Sequence, residues 1–131
     1  MMLVIKGKII SGMEVGSVFV SLEWVKNQIL EKFSFEPFIG TLNVRMDRIT
    51  SCKFQSFTKS REGILIKPQD NKFCVGKCFK IRIQNKVDGA LIVPLVPNYP
   101  HDQIEVVAPV NLRRVLGLED GNEVTIAIFD S

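Results

Sequence analysis

Thr41 and Asn43 are the residues of this chain whose types and spacing point most directly to chemistry. They lie in Gly40-Thr41-Leu42-Asn43-Val44, which follows the turn signal Glu36-Pro37 and reads as a β-strand over residues 40–46. Alternate side chains on a strand share a face, so Leu42 and Val44 point toward a core while Thr41 and Asn43 point away together. A hydroxyl and an amide oxygen side by side, with Gly40 leaving the approach clear, suit a hard cation. Mg²⁺ behaves that way, taking one or two protein oxygens and filling its shell with water and substrate phosphates. The same alternation is also what any half-buried strand displays, so the pair gains meaning only from its neighbours.

A second candidate lies upstream. Gly12 and Gly16 bracket a loop in which positive φ can turn successive backbone N–H groups inward, a nest that holds phosphate oxygens without a lysine. Two glycines in a simple strand connection would read the same way. Other nucleotide signatures do not occur: Gly76-Lys77 is followed by Cys78 and has Asn71 where a phosphate-loop glycine belongs, and there is no Gly-x-Gly-x-x-Gly. Cys74 and Cys78 stand four apart, and Cys52 and His101 complete a zinc set only on paper. The tight Cys-x-x-Cys knuckle is missing, so the cysteines are expected to be free thiols in a reducing compartment.

At 131 residues, with 46% hydrophobic content and nine Phe, the chain is expected to form one domain over residues 1–131 with a well-filled core. A net charge of +3 attracts small anions mildly, and no dense Lys/Arg run marks a nucleic-acid groove. No segment is apolar for long enough to span a bilayer, and the start through Lys6 is too short for a secretory signal. The expectation is a cytoplasmic protein, monomeric, with no membrane or nucleic-acid partner.

The elements that must position these residues are mostly strands. Strands are expected over residues 2–10, 17–22, 78–84, 90–96, 104–108 and 123–129, with weaker candidates at 53–57 and 64–67. A helix capped by Ser21 runs to Phe33, with Leu22, Val25, Ile29 and Phe33 on one stripe and Glu23 in its first turn. Trp24 and Leu30 fall off that stripe and are assigned to packing under a neighbouring loop. A second helix over 110–116 ends at Gly117 in the left-handed conformation, with Leu118 folding back, and Asp120-Gly121 turns into the last strand. Short strands, frequent turns and two brief helices imply a mainly β fold, a small closed β-barrel.

Read in order, these segments resemble one family. Gly7-x-x-x-Ser11-Gly12 with Gly16, Phe19-x-Ser21-Leu22 and Phe35-x-Pro37-x-x-Gly40-Thr41-Leu42-Asn43 are similar to the CTP-dependent riboflavin kinases of archaea. So are Asp88-Gly89-Ala90-x-Ile92-Val93-Pro94, Tyr99-Pro100, Ile104-Glu105-Val106-Val107-Ala108-Pro109 and Asn111-Leu112-Arg113. The resemblance implies a six-stranded cradle-loop (RIFT-like) barrel that passes the γ-phosphate of CTP to the 5′-hydroxyl of riboflavin, giving FMN and CDP. It implies that Gly12, Met13, Glu14, Val15, Gly16 and Ser17 wrap the nucleotide together with Val110, Asn111, Leu112 and Arg113. Thr41 and Asn43 would hold Mg²⁺, and Pro97 and Glu105 would face the flavin. Glu105 is the candidate catalytic base; an alternative role, hydrogen bonding the ribityl chain, stays open.

Three positions depart from the family pattern. Glu14 stands where the middle glycine of Gly-x-Gly-x-Gly is usual, Ser17 replaces a basic residue, and Pro97 replaces a hydroxyl residue near the flavin. Proline offers neither a side-chain donor nor an N–H. A flavin- or nucleotide-binding protein of the same fold with weakened catalysis is therefore a second reading. The segment from Leu112-Arg113 to Val124 also resembles swapped-hairpin barrels that bind DNA, although the basic residues Lys53, Lys59, Arg61, Lys77, Lys80 and Arg82 are scattered. A carboxylate beside a triphosphate costs on the order of 1–4 kcal/mol at surface-like dielectric. Glu14→Gly should therefore tighten CTP binding in calorimetry; no gain would mean that Glu14 points away from the phosphates.

Overall fold

The protein is described by a computed structural model over residues 2–11, 21–68 and 76–130. The loop 12–17, most of the strand expected over 17–22, and Cys74 lie outside the described residues.

The described residues form seven strands: β1 (Met2–Ile10), β2 (Leu42–Arg45), β3 (Ile64–Ile66), β4 (Gly76–Ile83), β5 (Val87–Pro94), β6 (Gln103–Val107) and β7 (Glu123–Phe129). Every pairing is antiparallel. The order β4-β5-β6-β2-β1-β7 closes on itself through β7 and β4, at Ile81↔Ile128, Arg82↔Ala127 and Ile83↔Ile126. The result is a closed six-stranded barrel, as the sequence implied, with β3 attached outside along β4. Closure leaves few exposed edges for other chains to pair with.

Alternation along each strand decides what fills the barrel. Ile5, Ile9, Leu42, Val44, Ile81, Leu91, Ile104, Val106, Ile126 and Ile128 point inward and form one buried cluster. Burying side chains of this size is worth roughly 1.5–3 kcal/mol each. A smaller cluster lies on the outer wall, where Cys78, Ala90, Ile92 and Val107 meet Val25 and Ile29 of α1 (Glu23–Phe33). Burial pushes the Cys78 thiol up to about 12.

Two helical expectations need correction. Leu22, not Ser21, occupies the N-cap position of α1, and its side chain makes no capping bond. Leu22 packs instead against the outer cluster, so apolar burial at this end replaces a side-chain cap. Trp24 joins the same cluster, whereas Leu30 is 52% exposed.

The larger correction is at 53–57, expected as a strand. These residues belong to α2 (Arg48–Lys59), which raises the described helices from two to three. The Asp47 carboxylate caps it by accepting from the Thr50 N–H at 2.7 Å, and that bond holds its carboxyl below the usual range. Ser51, Phe54, Phe57 and Thr58 then recur at helical spacing and are buried. Phe57 lies 6.0 Å from Phe79, ring centre to ring centre, in the barrel cluster. The third helix, α3 (Leu112–Leu116), starts two residues later than expected because the Asn111 side chain accepts from Arg114 N–H and so caps it. It ends at Gly117 with φ 62°, and Leu118 N–H folds back onto the Arg113 carbonyl at 2.8 Å, as expected.

Close strand contact makes Gly89 sensitive. A Cβ there would sit 2.3 Å from the Val107 carbonyl oxygen, nearer than any side chain tolerates. Gly89→Ala should destabilise the barrel by about 1–3 kcal/mol, as overpacked cores do. Urea unfolding at equilibrium measures it, and an unchanged midpoint would contradict this packing.

Candidate active site

The strand pair β2–β6 positions most of the singled-out side chains. Its register sets Asn43 opposite Glu105 and Arg45 opposite Gln103, while Leu42, Val44, Ile104 and Val106 take the alternate, inward positions. Asn43, Gln103 and Glu105 therefore share the outer face. β2 begins two residues later than the run suggested, so Thr41 directly precedes it, after Gly40 has turned the chain with φ 132°.

These groups are hydrogen-bonded to one another. The Thr41 hydroxyl donates to Glu105 Oε1 at 2.9 Å, and the Tyr99 hydroxyl donates to Glu105 Oε2 at 2.6 Å. Gln103 Nε2 donates to Asn43 Oδ1 at 3.2 Å, and the Gln103 side chain is also a partner of the Tyr99 hydroxyl. Glu105 has no solvent exposure, Gln103 has 5% and Asn43 has 7%. A buried polar group left without a partner costs roughly 1–3 kcal/mol, so the outer wall tolerates this polar row only because its members satisfy one another. Tyr99 carries the clearest electrostatic mark. Burial, reinforced by its bond to Glu105, raises its pKa well above the ordinary 10.0.

Sequence reasoning named Thr41, Asn43 and Glu105 but missed Tyr99 and Gln103. Gln103 could have been found two residues from Glu105 on the same strand face, and Tyr99 as the only tyrosine of the chain. Pro97 is exposed, on the same 95–102 segment that brings Tyr99 to Glu105.

Beside this row lies a cleft of about 190 Å³, lined by Phe38, Gly40, Thr41, Leu42, Val106, Ala108, Val110, Asn111, Leu112 and Arg113. It brings Thr41 together with the four residues expected to touch a nucleotide. The Arg113 side chain, however, is already engaged. Its Nη2 donates to Asp120 Oδ1 at 2.6 Å and approaches the Ile10 carbonyl at 3.4 Å, while Ser11 Oγ donates to Asp120 Oδ2 at 2.8 Å. Arg113, then Ser11, hold the Asp120 carboxyl below the usual range. Arg113 thus fixes the point where β1 ends and residues 12–17 begin. A larger groove of about 1090 Å³ runs along β1 beside Arg45 and Lys53 and contains none of the singled-out site residues.

Three of the scattered basic residues are engaged within the protein. Arg61 pairs with Asp130 at 3.2 Å, Arg82 pairs with Asp88 at 2.8 Å, and Lys77 donates to the Thr58 carbonyl. Among the described residues no three His, Cys, Asp or Glu side chains group as metal ligands, and no helix is long and apolar enough to cross a membrane.

The family model CTP-dep_RFKase, described as a domain of unknown function, DUF120, matches residues 9–128. The chain belongs to this family. A riboflavin kinase of Archaeoglobus fulgidus is 39% identical over 128 residues, 95% of this chain and 54% of that protein. Riboflavin kinases of Pyrobaculum islandicum and Ignicoccus hospitalis are 35% and 37% identical, each over 95% of this chain and over 60% and 70% of their own lengths. The chain thus spans little more than half of the first two relatives.

Since Tyr99 is the sole tyrosine, phenolate absorbance reports it alone. A phenol whose folded pKa is raised contributes stability that is complete below its unfolded pKa and fades as pH rises through the folded value. The absorbance should stay flat through pH 10.0 and appear only as the barrel loses stability above it. A transition at 10.0 in the folded protein would contradict the buried Tyr99–Glu105 bond.

Proposed function

We propose that this chain is a riboflavin kinase that transfers the γ-phosphate of CTP to the 5′-hydroxyl of riboflavin, giving FMN and CDP. One observation carries the reading: Thr41 borders the cleft of Val110–Arg113 on one side and hydrogen-bonds Glu105 on the other. A phosphate-sized space, an oxygen suited to a divalent cation and a carboxyl group therefore meet within one short stretch of wall. Family membership over residues 9–128 and the names of the relatives support this choice of substrates.

The residues present fit Mg²⁺. Thr41 gives its hydroxyl hydrogen to Glu105, so a cation would meet the oxygen side of that hydroxyl. Asn43 Oδ1 accepts one bond from Gln103 and keeps a second lone pair. Neutral oxygens of this kind, completed by phosphate and water, are ordinary Mg²⁺ ligands. When bound, the ion neutralises charge on the transferring phosphate and its neighbour.

The protein's own groups then have little covalent work to do, because phosphoryl transfer is governed by positioning and charge stabilisation. A cleft of about 190 Å³ holds phosphate groups and not a whole nucleotide, since sites for drug-sized ligands occupy ~300–1,000 Å³. Residues Gly12, Met13, Glu14, Val15, Gly16 and Ser17 would supply the remaining wall. Backbone groups of Val110 to Leu112 face the phosphates, and Arg113 steadies the root of the loop through Asp120. Glu105 orients the ribityl 5′-hydroxyl and takes its proton as the new bond to phosphorus forms. Glu105 is fully buried, so a flavin hydroxyl reaches it only when the 95–102 segment carrying Tyr99 moves aside. Pro97 on that segment would offer the flavin an apolar contact.

Glu14 and Ser17 favour the second reading, a barrel that binds flavin or nucleotide with weak turnover. Incubating the protein with riboflavin, Mg²⁺ and each of CTP, ATP, GTP and UTP separates the two. FMN formed with CTP supports the kinase; riboflavin binding without FMN from any nucleotide supports the weaker binder. Asn43→Ala should leave the barrel folded and lower turnover at limiting Mg²⁺ by at least about 10-fold. Unchanged turnover would remove Asn43 from the metal site.

A further inference from the structure

Amide groups present an oxygen at one end and two N–H donors at the other, and the two ends differ little in shape. Asn43 can serve a cation only with its oxygen turned outward; the reversed amide would face the cation with N–H groups and repel it. Nothing in Asn43 itself selects between the two. Its neighbour does. Gln103 Nε2 donates to Asn43 Oδ1 at 3.2 Å between side chains that are 5% and 7% exposed. An N–H beside that site can donate only to the oxygen end of Asn43, so reversal would bring two donors together in a place with little water.

Gln103 itself is fixed in turn. The Tyr99 hydroxyl gives its hydrogen to Glu105, so it can only accept from Gln103, again from an N–H. Thr41 also gives its hydrogen to Glu105, so all donation along this row runs toward the carboxyl group or toward Asn43. The direction of every bond follows once Glu105 is placed as the acceptor.

We propose that Gln103 is a positioning residue that holds the Asn43 amide oxygen toward a divalent cation and ties that orientation to Glu105 through Tyr99. The inference rests on the riboflavin kinase reading. Gln103 touches neither the ion nor the substrates in this account; it acts through Asn43, as outer partners of metal ligands commonly do.

Gln103→Met keeps the side-chain length and removes both N–H groups. The test is electron paramagnetic resonance titration of Mn²⁺, a substitute for Mg²⁺, into wild type and variant in the presence of CDP. Circular dichroism checks the fold, and calorimetry gives metal-free CDP affinity. The half-saturation for Mn²⁺ should rise about 10-fold in the variant, the usual scale for losing an outer partner, while metal-free CDP affinity stays within twofold. Equal Mn²⁺ affinity in the two proteins would overturn the inference and leave the kinase reading standing. Parallel loss of Mn²⁺ and metal-free CDP affinity would assign Gln103 a purely structural role and also overturn it. Wild type that takes up no Mn²⁺ with CDP would remove the kinase reading itself, and the inference with it. Should Gln103→Met not fold, nuclear magnetic resonance of the wild type decides: the Gln103 and Asn43 side-chain amide signals should shift together when Mg²⁺ is added with CDP. A Gln103 signal that stays still would overturn the inference.

Discussion

A carboxyl group with no access to water must find its hydrogen-bond partners within the protein, and the outer wall of this barrel is arranged around that requirement. Glu105 sits in the middle of β6, opposite Asn43 on β2 and Ile92 on β5. Thr41 and Tyr99 reach its two oxygens from the segments that flank β2 and β6. If Glu105 were absent, the hydroxyls of Thr41 and Tyr99 would lose their common acceptor, and the 95–102 segment would lose one of its bonds to the wall. The barrel interior fixes the register that brings these residues opposite one another, since Leu42, Val44, Ile104 and Val106 can be buried together only in that alignment.

The same arrangement suits phosphoryl transfer. Thr41 lies at the boundary between the polar row and the cleft bordered by α3, so a phosphate in the cleft and a hydroxyl near Glu105 would be neighbours without either element moving far. β2 carries Asn43, with Thr41 directly before it, and β6 carries Glu105, whereas Tyr99 and Pro97 lie on the loop before β6. Strand-borne groups hold their geometry more tightly than loop-borne ones, and a segment that admits a substrate must open at modest cost. Arg113 adds a third element: its bonds to Asp120 and to the Ile10 carbonyl tie α3 to the end of β1.

Much of this was legible in the sequence because barrel strands advertise themselves by alternation. β1, β4, β5, β6 and β7 fell within a few residues of their expected bounds, and the pairing of Thr41 with Asn43 on the outer face followed from period two alone. The 53–57 region was misread because two phenylalanines among small and polar residues fit a strand locally. The informative signals were wider: an Asp47 cap and the spacing of Ser51, Phe54 and Phe57. Alternation also tells which face a residue occupies, not what covers that face. Gln103 and Glu105 lie on the outer face and are nonetheless buried, and Thr41 and Tyr99 reach Glu105 from outside the strands. The partnership of Tyr99 with Glu105 spans a loop whose path no periodicity predicts.

Anomalous scattering from a crystal grown with CDP and Mn²⁺ tests the central claim most directly, because it locates the ion without reference to turnover. A single strong peak within bonding distance of Thr41 Oγ1 and Asn43 Oδ1, with CDP phosphate on its far side, is the predicted result. Ordered CDP with the ion bound away from β2, or with no ion near Thr41 and Asn43, would contradict it.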